Sequence, residues 1–170
     1  MNMQAFAEAG VPLFETIPLQ NLERLAMESS GLANDSTVNW QAVAEFRAGP
    51  TGQTDIWLHL AADTSVPLTC QRCMGAVQTF LQVDQWYRFV ATEAIAMAED
   101  DASEEDLLVL TPQFDLAEVV EDELLMALPL VPMHDECPVT PVFSAGALDV
   151  PAVETDKPNP FAVLAQLKKK

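Results

Sequence analysis

Positive charge is what this chain lacks most: its 170 residues carry 8 Lys and Arg against 26 Asp and Glu, a formal net charge of −18 at pH 7. No Lys or Arg occurs between Arg88 and Lys157. A surface of that sign repels phosphate backbones, so the middle of the chain is a poor nucleic-acid surface. It reads either as a solvated acidic face or as a docking face for a basic partner. Long apolar runs are also missing. None approaches the roughly 20 residues of a membrane span, and MNMQAFAEAG has neither a basic n-region nor a clean apolar core, so a soluble, cytoplasmic protein is expected. P-loop, GxGxxG and HExxH patterns are absent, which leaves nucleotide and protease chemistry without their mechanical parts. Cysteines number three and cannot all pair within the chain. In a cytosolic setting Cys70-Gln71-Arg72-Cys73 points to metal or thiol chemistry before a structural disulfide. Against these absences, 49% apolar residues argue against wholesale disorder, and the length suits one domain burying roughly 70% of its unfolded surface.

The apolar spacing predicts an α+β fold: a curved antiparallel sheet or partial barrel of about five to six strands, packed by a central amphipathic helix and a short C-terminal helix. Residues 1–35 read as a helical segment, with a stripe of Leu19, Leu22, Leu25 and Ala26 and Gly31 as its stop. Over 36–92 strand alternation dominates. Val38 to Phe46 and Ile56 to Leu60 flank a Gly49-Pro50-Thr51-Gly52 turn, a third strand is expected near Pro67 to Arg72, and 77–90 is one bent strand or two. Trp40, Trp57, Trp86 and Phe46 fall mostly at strand spacing and read as core. Residues 93–106 are acidic and aperiodic, a mobile surface loop. Over 107–137 a brief strand precedes the central helix, whose Leu116, Val119, Val120, Leu124 and Ala127 share a face. Asp115 is its N-cap, with Glu118 three residues on, and Pro129 and Pro132 stop it near Leu128. Residues 138–170 read as a proline-rich extended tail and a last helix, with Asn159 as N-cap and Lys168, Lys169 and Lys170 at its negative end.

Cys70-x2-Cys73 and His134-x2-Cys137 supply three sulfurs and one imidazole, a donor set able to close a tetrahedral zinc site on two short ligand pairs. Other readings stand beside it. His134 between Pro132 and Pro138 can be a plain turn residue, Cys137 a small buried one, and CxxC a redox pair, although here it follows an antiparallel pattern rather than opening a helix. A dyad of Cys70 or Cys137 with His134 would be nucleophilic chemistry. Glu121, Asp122 and Glu123 sit at adjacent helical positions that point in different directions, which favours a solvated face over a paired acid and base.

Three stretches, LTCQRCMGAV at 68–77, DLAEVVEDELLMALPLVPMHDEC at 115–137 and KPNPFAVLAQLK at 157–168, resemble the YceD family of large ribosomal RNA subunit accumulation proteins. The resemblance covers the middle and C-terminal parts of the chain. It implies a non-enzymatic cytoplasmic factor that supports 23S rRNA accumulation and hence large-subunit assembly. The family-typical positions are Cys70, Arg72, Cys73, Glu121, Asp122, Glu123, Pro129, Pro132, His134, Cys137, Asn159, Pro160 and Phe161; the resemblance does not say what each does. Charge then suggests the partner. The expected surface joins the acids Glu118, Glu121, Asp122 and Glu123, facing a basic ribosomal protein of the large subunit, with Asn159 and Phe161. The alternative is local 23S rRNA docking through Arg72, Arg88, Lys168, Lys169 and Lys170. A small Cys/His thiol enzyme is the reading from a different class.

Overall fold

The computed structural model describes residues 1–31, 35–49 and 52–139. The expected tail and last helix over 140–170, with Asn159, Phe161, Lys168, Lys169 and Lys170, lie outside the described residues. Five strands form one open sheet in the order β1-β2-β3-β4-β5: Leu13–Pro18, Thr37–Ala48, Thr54–Thr69, Ala76–Val90 and Asp106–Val109. The first four run antiparallel to their neighbours, and β5 joins β4 in parallel. The sheet is therefore mixed rather than wholly antiparallel. The parallel edge needs a crossover, which residues 91–105 supply.

The strand alternation decides which face is buried. Val38, Trp40, Ala42 and Ala44 on β2 sit opposite Thr64, Ala62, Leu60 and Leu58 on β3, and these pair on to Leu81, Val83 and Tyr87 on β4. That face carries the core, completed by α1 (Met3–Ala9), α2 (Glu23–Glu28) and α4 (Leu116–Met126). Leu58, Leu60, Val120 and Leu124 are fully buried, each worth about 1.5–3 kcal/mol of apolar transfer. Asp115 caps α4 as expected, its Oδ1 accepting from the N–H groups of Ala117 at 2.9 Å and Glu118 at 3.4 Å. Ala127 ends the helix ahead of Pro129.

Three expectations change. Residues 13–18 form a strand inside the segment expected to be helical, because their backbone pairs with Thr37–Ala42, a partner that local spacing does not reveal. The expected third strand is continuous with the second, with Pro67 inside β3. Its missing N–H is tolerated because β2 has already ended, and the Pro67 carbonyl accepts instead from Ser30 N–H at 2.6 Å. The acidic segment 93–106 contains a two-turn helix, α3 (Glu93–Glu99), capped by Thr92.

Arg88 explains why that last segment is ordered. It projects from β4 onto the sheet face opposite the core and is 1% exposed, ion-paired to Asp55 at 3.4 Å, Glu99 at 2.9 Å and Glu105 at 2.7 Å. Its guanidinium also donates to Ser103 Oγ at 2.9 Å. Burial opposes the charge, but Glu105 and Glu99 outweigh it and hold the guanidinium above its ordinary pKa. Gly49 keeps the site open, since a Cβ there would collide with the Asp55 carboxylate. Arg88→Met leaves three carboxylates without their cation and is expected to lower unfolding stability by about 3–5 kcal/mol. Urea unfolding measures the loss, and a change within error of zero would show that the cluster does not hold the crossover.

Candidate metal centre

Two separate parts of the chain meet at one end of the β3–β4 hairpin. Cys70 follows β3, and residues 70–75 turn the chain into β4. Cys70 N–H donates to the Gly75 carbonyl at 2.8 Å, and Met74 N–H donates back to the Cys70 carbonyl at 2.9 Å. This tight turn holds Met74 in the left-handed region, φ 60°, a conformation that a non-glycine residue keeps only when its surroundings over-determine it. The second part comes from the extended chain beyond α4. Prolines 129 and 132 keep it out of the helix, and Gln71 N–H donates to the Pro132 carbonyl at 2.9 Å, clipping it to the turn.

The consequence is a four-donor cluster. Sγ of Cys70, Cys73 and Cys137 and a ring nitrogen of His134 all lie within 4.8 Å of one another. Cys70 Sγ is 4.0 Å from Cys137 Sγ, and Cys73 Sγ is 3.5 Å from His134 Nδ1. A tetrahedral ion with bonds of about 2.3 Å to sulfur and about 2.0 Å to nitrogen has S–S edges of about 3.8 Å and S–N edges of about 3.5 Å. The spacing fits such an ion. The imidazole is also oriented for it: His134 Nε2 lies 3.0 Å from the Ala76 carbonyl, which fixes the proton on Nε2 and leaves the Nδ1 lone pair facing the sulfurs.

The thiols are electrostatically unequal. Burial opposes a Cys70 thiolate, yet the backbone N–H groups of Cys73, His134 and Arg72, with the His134 side chain, overcome it and bring the pKa down to about 5. Burial, then the neighbouring Cys73 and Cys70 sulfurs, push Cys137 up. Cys70 is the thiol already prepared to act as an anionic ligand.

The other candidate residues divide by exposure. Glu118 is exposed and Asp122 half-exposed, whereas Glu121 and Glu123 are buried. Glu121 Oε1 accepts from the N–H groups of Arg24 at 2.7 Å and Leu25 at 3.2 Å, and its Oε2 pairs with the Arg24 side chain at 2.9 Å. It caps α2 from α4, so its carboxylate is not offered to a partner. Glu123 lies beside the buried Tyr87, whose phenol is raised by burial and then by that carboxylate. Arg88 is withdrawn into its three-carboxylate cluster. These three of the expected surface residues are buried within the chain, and their neighbours could not be inferred from local spacing. Arg72 is exposed beside the cluster, 4.0 Å from Met133 Sδ. Spacing also misjudged two tryptophans. Trp40 is in the core, but Trp57 and Trp86 lie on the opposite sheet face, where Arg47 sits over both rings. The available signal was parity within each strand: Trp57 goes with His59 rather than Leu58 and Leu60 on β3, and Trp86 with Gln82 and Asp84 rather than Leu81 and Val83 on β4.

The cysteine asymmetry has a pH signature. A thiol at about 5 when folded and 9.0 ordinarily has lost its proton in the folded chain while the unfolded chain still holds it. Its stabilising effect is complete above pH 9 and lost as pH falls through 5. The raised Cys137 acts only on the alkaline side. In metal-stripped protein the stability difference between wild type and Cys70→Ser should therefore widen as pH rises through this window, followed by urea unfolding. A constant difference would show that Cys70 is not held as a thiolate.

Comparison with known proteins gives a family match whose span includes the cluster and the helix before it. The family described as "Large ribosomal RNA subunit accumulation protein YceD" matches residues 58–168. A protein of that name from Haemophilus influenzae (strain ATCC 51907 / DSM 11121 / KW20 / Rd) is 34% identical over 151 residues, covering 88% of this chain and 83% of its own length. No solved structure matches. The chain belongs to the YceD family of large ribosomal RNA subunit accumulation proteins.

Proposed function

We propose that this protein is a non-enzymatic, cytoplasmic factor for large-subunit biogenesis that supports 23S rRNA accumulation by holding a basic ribosomal protein against its acidic surface. The family name supports the process, and the use of the cations supports the mechanism. Of the four described arginines, Arg24, Arg47 and Arg88 are each ion-paired to carboxylates of the chain itself. Only Arg72 lacks a carboxylate partner among the described residues. Each phosphate contact needs a cation, and internal pairing removes most of the few on hand. The carboxylates remain in large excess and give fast, salt-sensitive encounter with a cationic protein. An assembly lacking that escort leaves rRNA incompletely covered and open to degradation.

In this reading Cys70, Cys73, His134 and Cys137 hold a structural zinc ion that fastens the chain beyond α4 to the β3–β4 turn. Zinc would supply binding energy to the fold rather than chemistry. The inward convergence of all four donors supports that role over a thiol enzyme. Arg72 favours a second reading, local rRNA docking beside the cluster, because it borders an open groove of about 530 Å³ with Phe80, Val131 and Met133.

Two measurements test these assignments. Elemental analysis should find about one zinc per chain with all three thiols protected from alkylation, and Cys73→Ser or Cys137→Ser should abolish it; one hyper-reactive thiol without metal would instead indicate enzyme chemistry. Salt titration should show binding to a purified basic large-subunit protein that weakens steeply with ionic strength, and no comparable binding to a 23S rRNA fragment. Tight RNA binding without protein binding would refute the escort.

A further inference from the structure

The sheet face opposite the core carries α3 only at its β4–β5 end; over β1 to β4 no described element covers it. The register sets two rows of side chains across it: Thr16, Asn39, Asp63 and Gln82, then Phe14, Gln41, Ala61 and Asp84. Between them lies a trough of about 500 Å³. Ala61 is part of its lining, with Asp84 opposite it on β4 and Asp63 two residues along β3.

Each carboxylate is held by a side chain other than Lys or Arg. Thr16 Oγ1 donates to Asn39 Oδ1 at 2.9 Å, and Asn39 Nδ2 donates to Asp63 Oδ2 at 3.2 Å. Asp84 Oδ1 lies 2.6 Å from His59 Nε2, and the His59 ring stacks on Trp86 with centroids 4.5 Å apart. No Lys or Arg lines the trough. The neighbouring cation, Arg47, is bound by Glu45 and lies 3.7 Å over the Trp86 ring. We infer that this trough is the docking surface for an extended, arginine-bearing segment of a partner protein, one guanidinium entering over Ala61 between Asp63 and Asp84 with its stem against the exposed Phe14. This rests on the escort reading and narrows it to one face.

The charge and the ring faces choose this occupant over single-stranded RNA. Phosphates would meet two carboxylates. Bases would need open aromatic platforms, whereas His59 and Arg47 already pack against Trp86. An arginine fork matches carboxylate geometry and tolerates stacking, which a lysine ammonium does not do as well.

The test uses the full chain and a decapeptide of alternating arginine and glycine, followed by tryptophan fluorescence at about 0.15 M salt. Asp63→Asn with Asp84→Asn keeps the shape of both side chains and should weaken binding about tenfold. Glu8→Gln with Glu28→Gln makes the same change in net charge at exposed sites elsewhere and should weaken it by less than about threefold. Equal losses in the two variants would overturn the trough, since bulk charge would then explain binding. So would an oligouridylate that binds this face and binds more tightly after the aspartate changes. A purified large-subunit protein that binds wild type and the trough variant equally would sink the trough and leave the escort standing. Trough-specific peptide binding with no large-subunit protein bound would retain the trough and remove the escort.

Discussion

The pairing of β3 with β4, from Trp57 opposite Arg88 to Thr69 opposite Ala76, is the constraint on which the other features depend. Its turn brings Cys70 and Cys73 into position. One of its faces supplies Leu58, Leu60, Leu81 and Tyr87 to the core, and the other supplies Asp63 and Asp84 to the open trough, with His59 and Trp86 beside Asp84. Near its other end Arg88 gathers the crossover to β5. A one-residue slip in this register would send every core side chain to the solvent face and separate the thiols from His134. Burial of the apolar face therefore fixes the geometry of the four-donor cluster as well as the fold.

Charge is organised by the same economy of cations. In so acidic a chain each arginine is a scarce counterion. Arg24 binds α2 to α4 through Glu121 and Asp122, and Arg88 binds α3 to the sheet. Both arrangements place carboxylates of one element against a cation of another, so they neutralise part of the self-repulsion that a net charge of −18 imposes on the compact state. The acids left over are those able to act outward, among them Glu118, Asp63 and Asp84.

Much of this was legible in the residues. The alternation of Val38 to Phe46 and of Ile56 to Leu60, and the Asp115 cap with its helical stripe, describe elements whose determinants are local. The two short Cys/His pairs were legible as a donor set because ligand spacing is itself local, though only the hairpin and the prolines bring the pairs together. The misreadings share a cause in distance along the chain. β1 owes its strand form to hydrogen bonds with Thr37–Ala42, Glu121 owes its burial to a helix start 97 residues earlier, and Arg88 turned an acidic segment from expected loop into α3 by pairing with it. A charged residue looks the same in sequence whether it faces water or a buried counterion.

The span between the two halves of the cluster also sets an order on biosynthesis. Cys73 and His134 are 61 residues apart, so at ordinary translation speeds of about 5–20 residues per second the first thiol pair exists for roughly 3–12 s before its imidazole partner is made. During that interval β4 and α4 are synthesised, and the hairpin can form without the cluster. Closure is thus reserved for a chain whose sheet and central helix have already been produced, making it a late latch in vectorial folding rather than its nucleus.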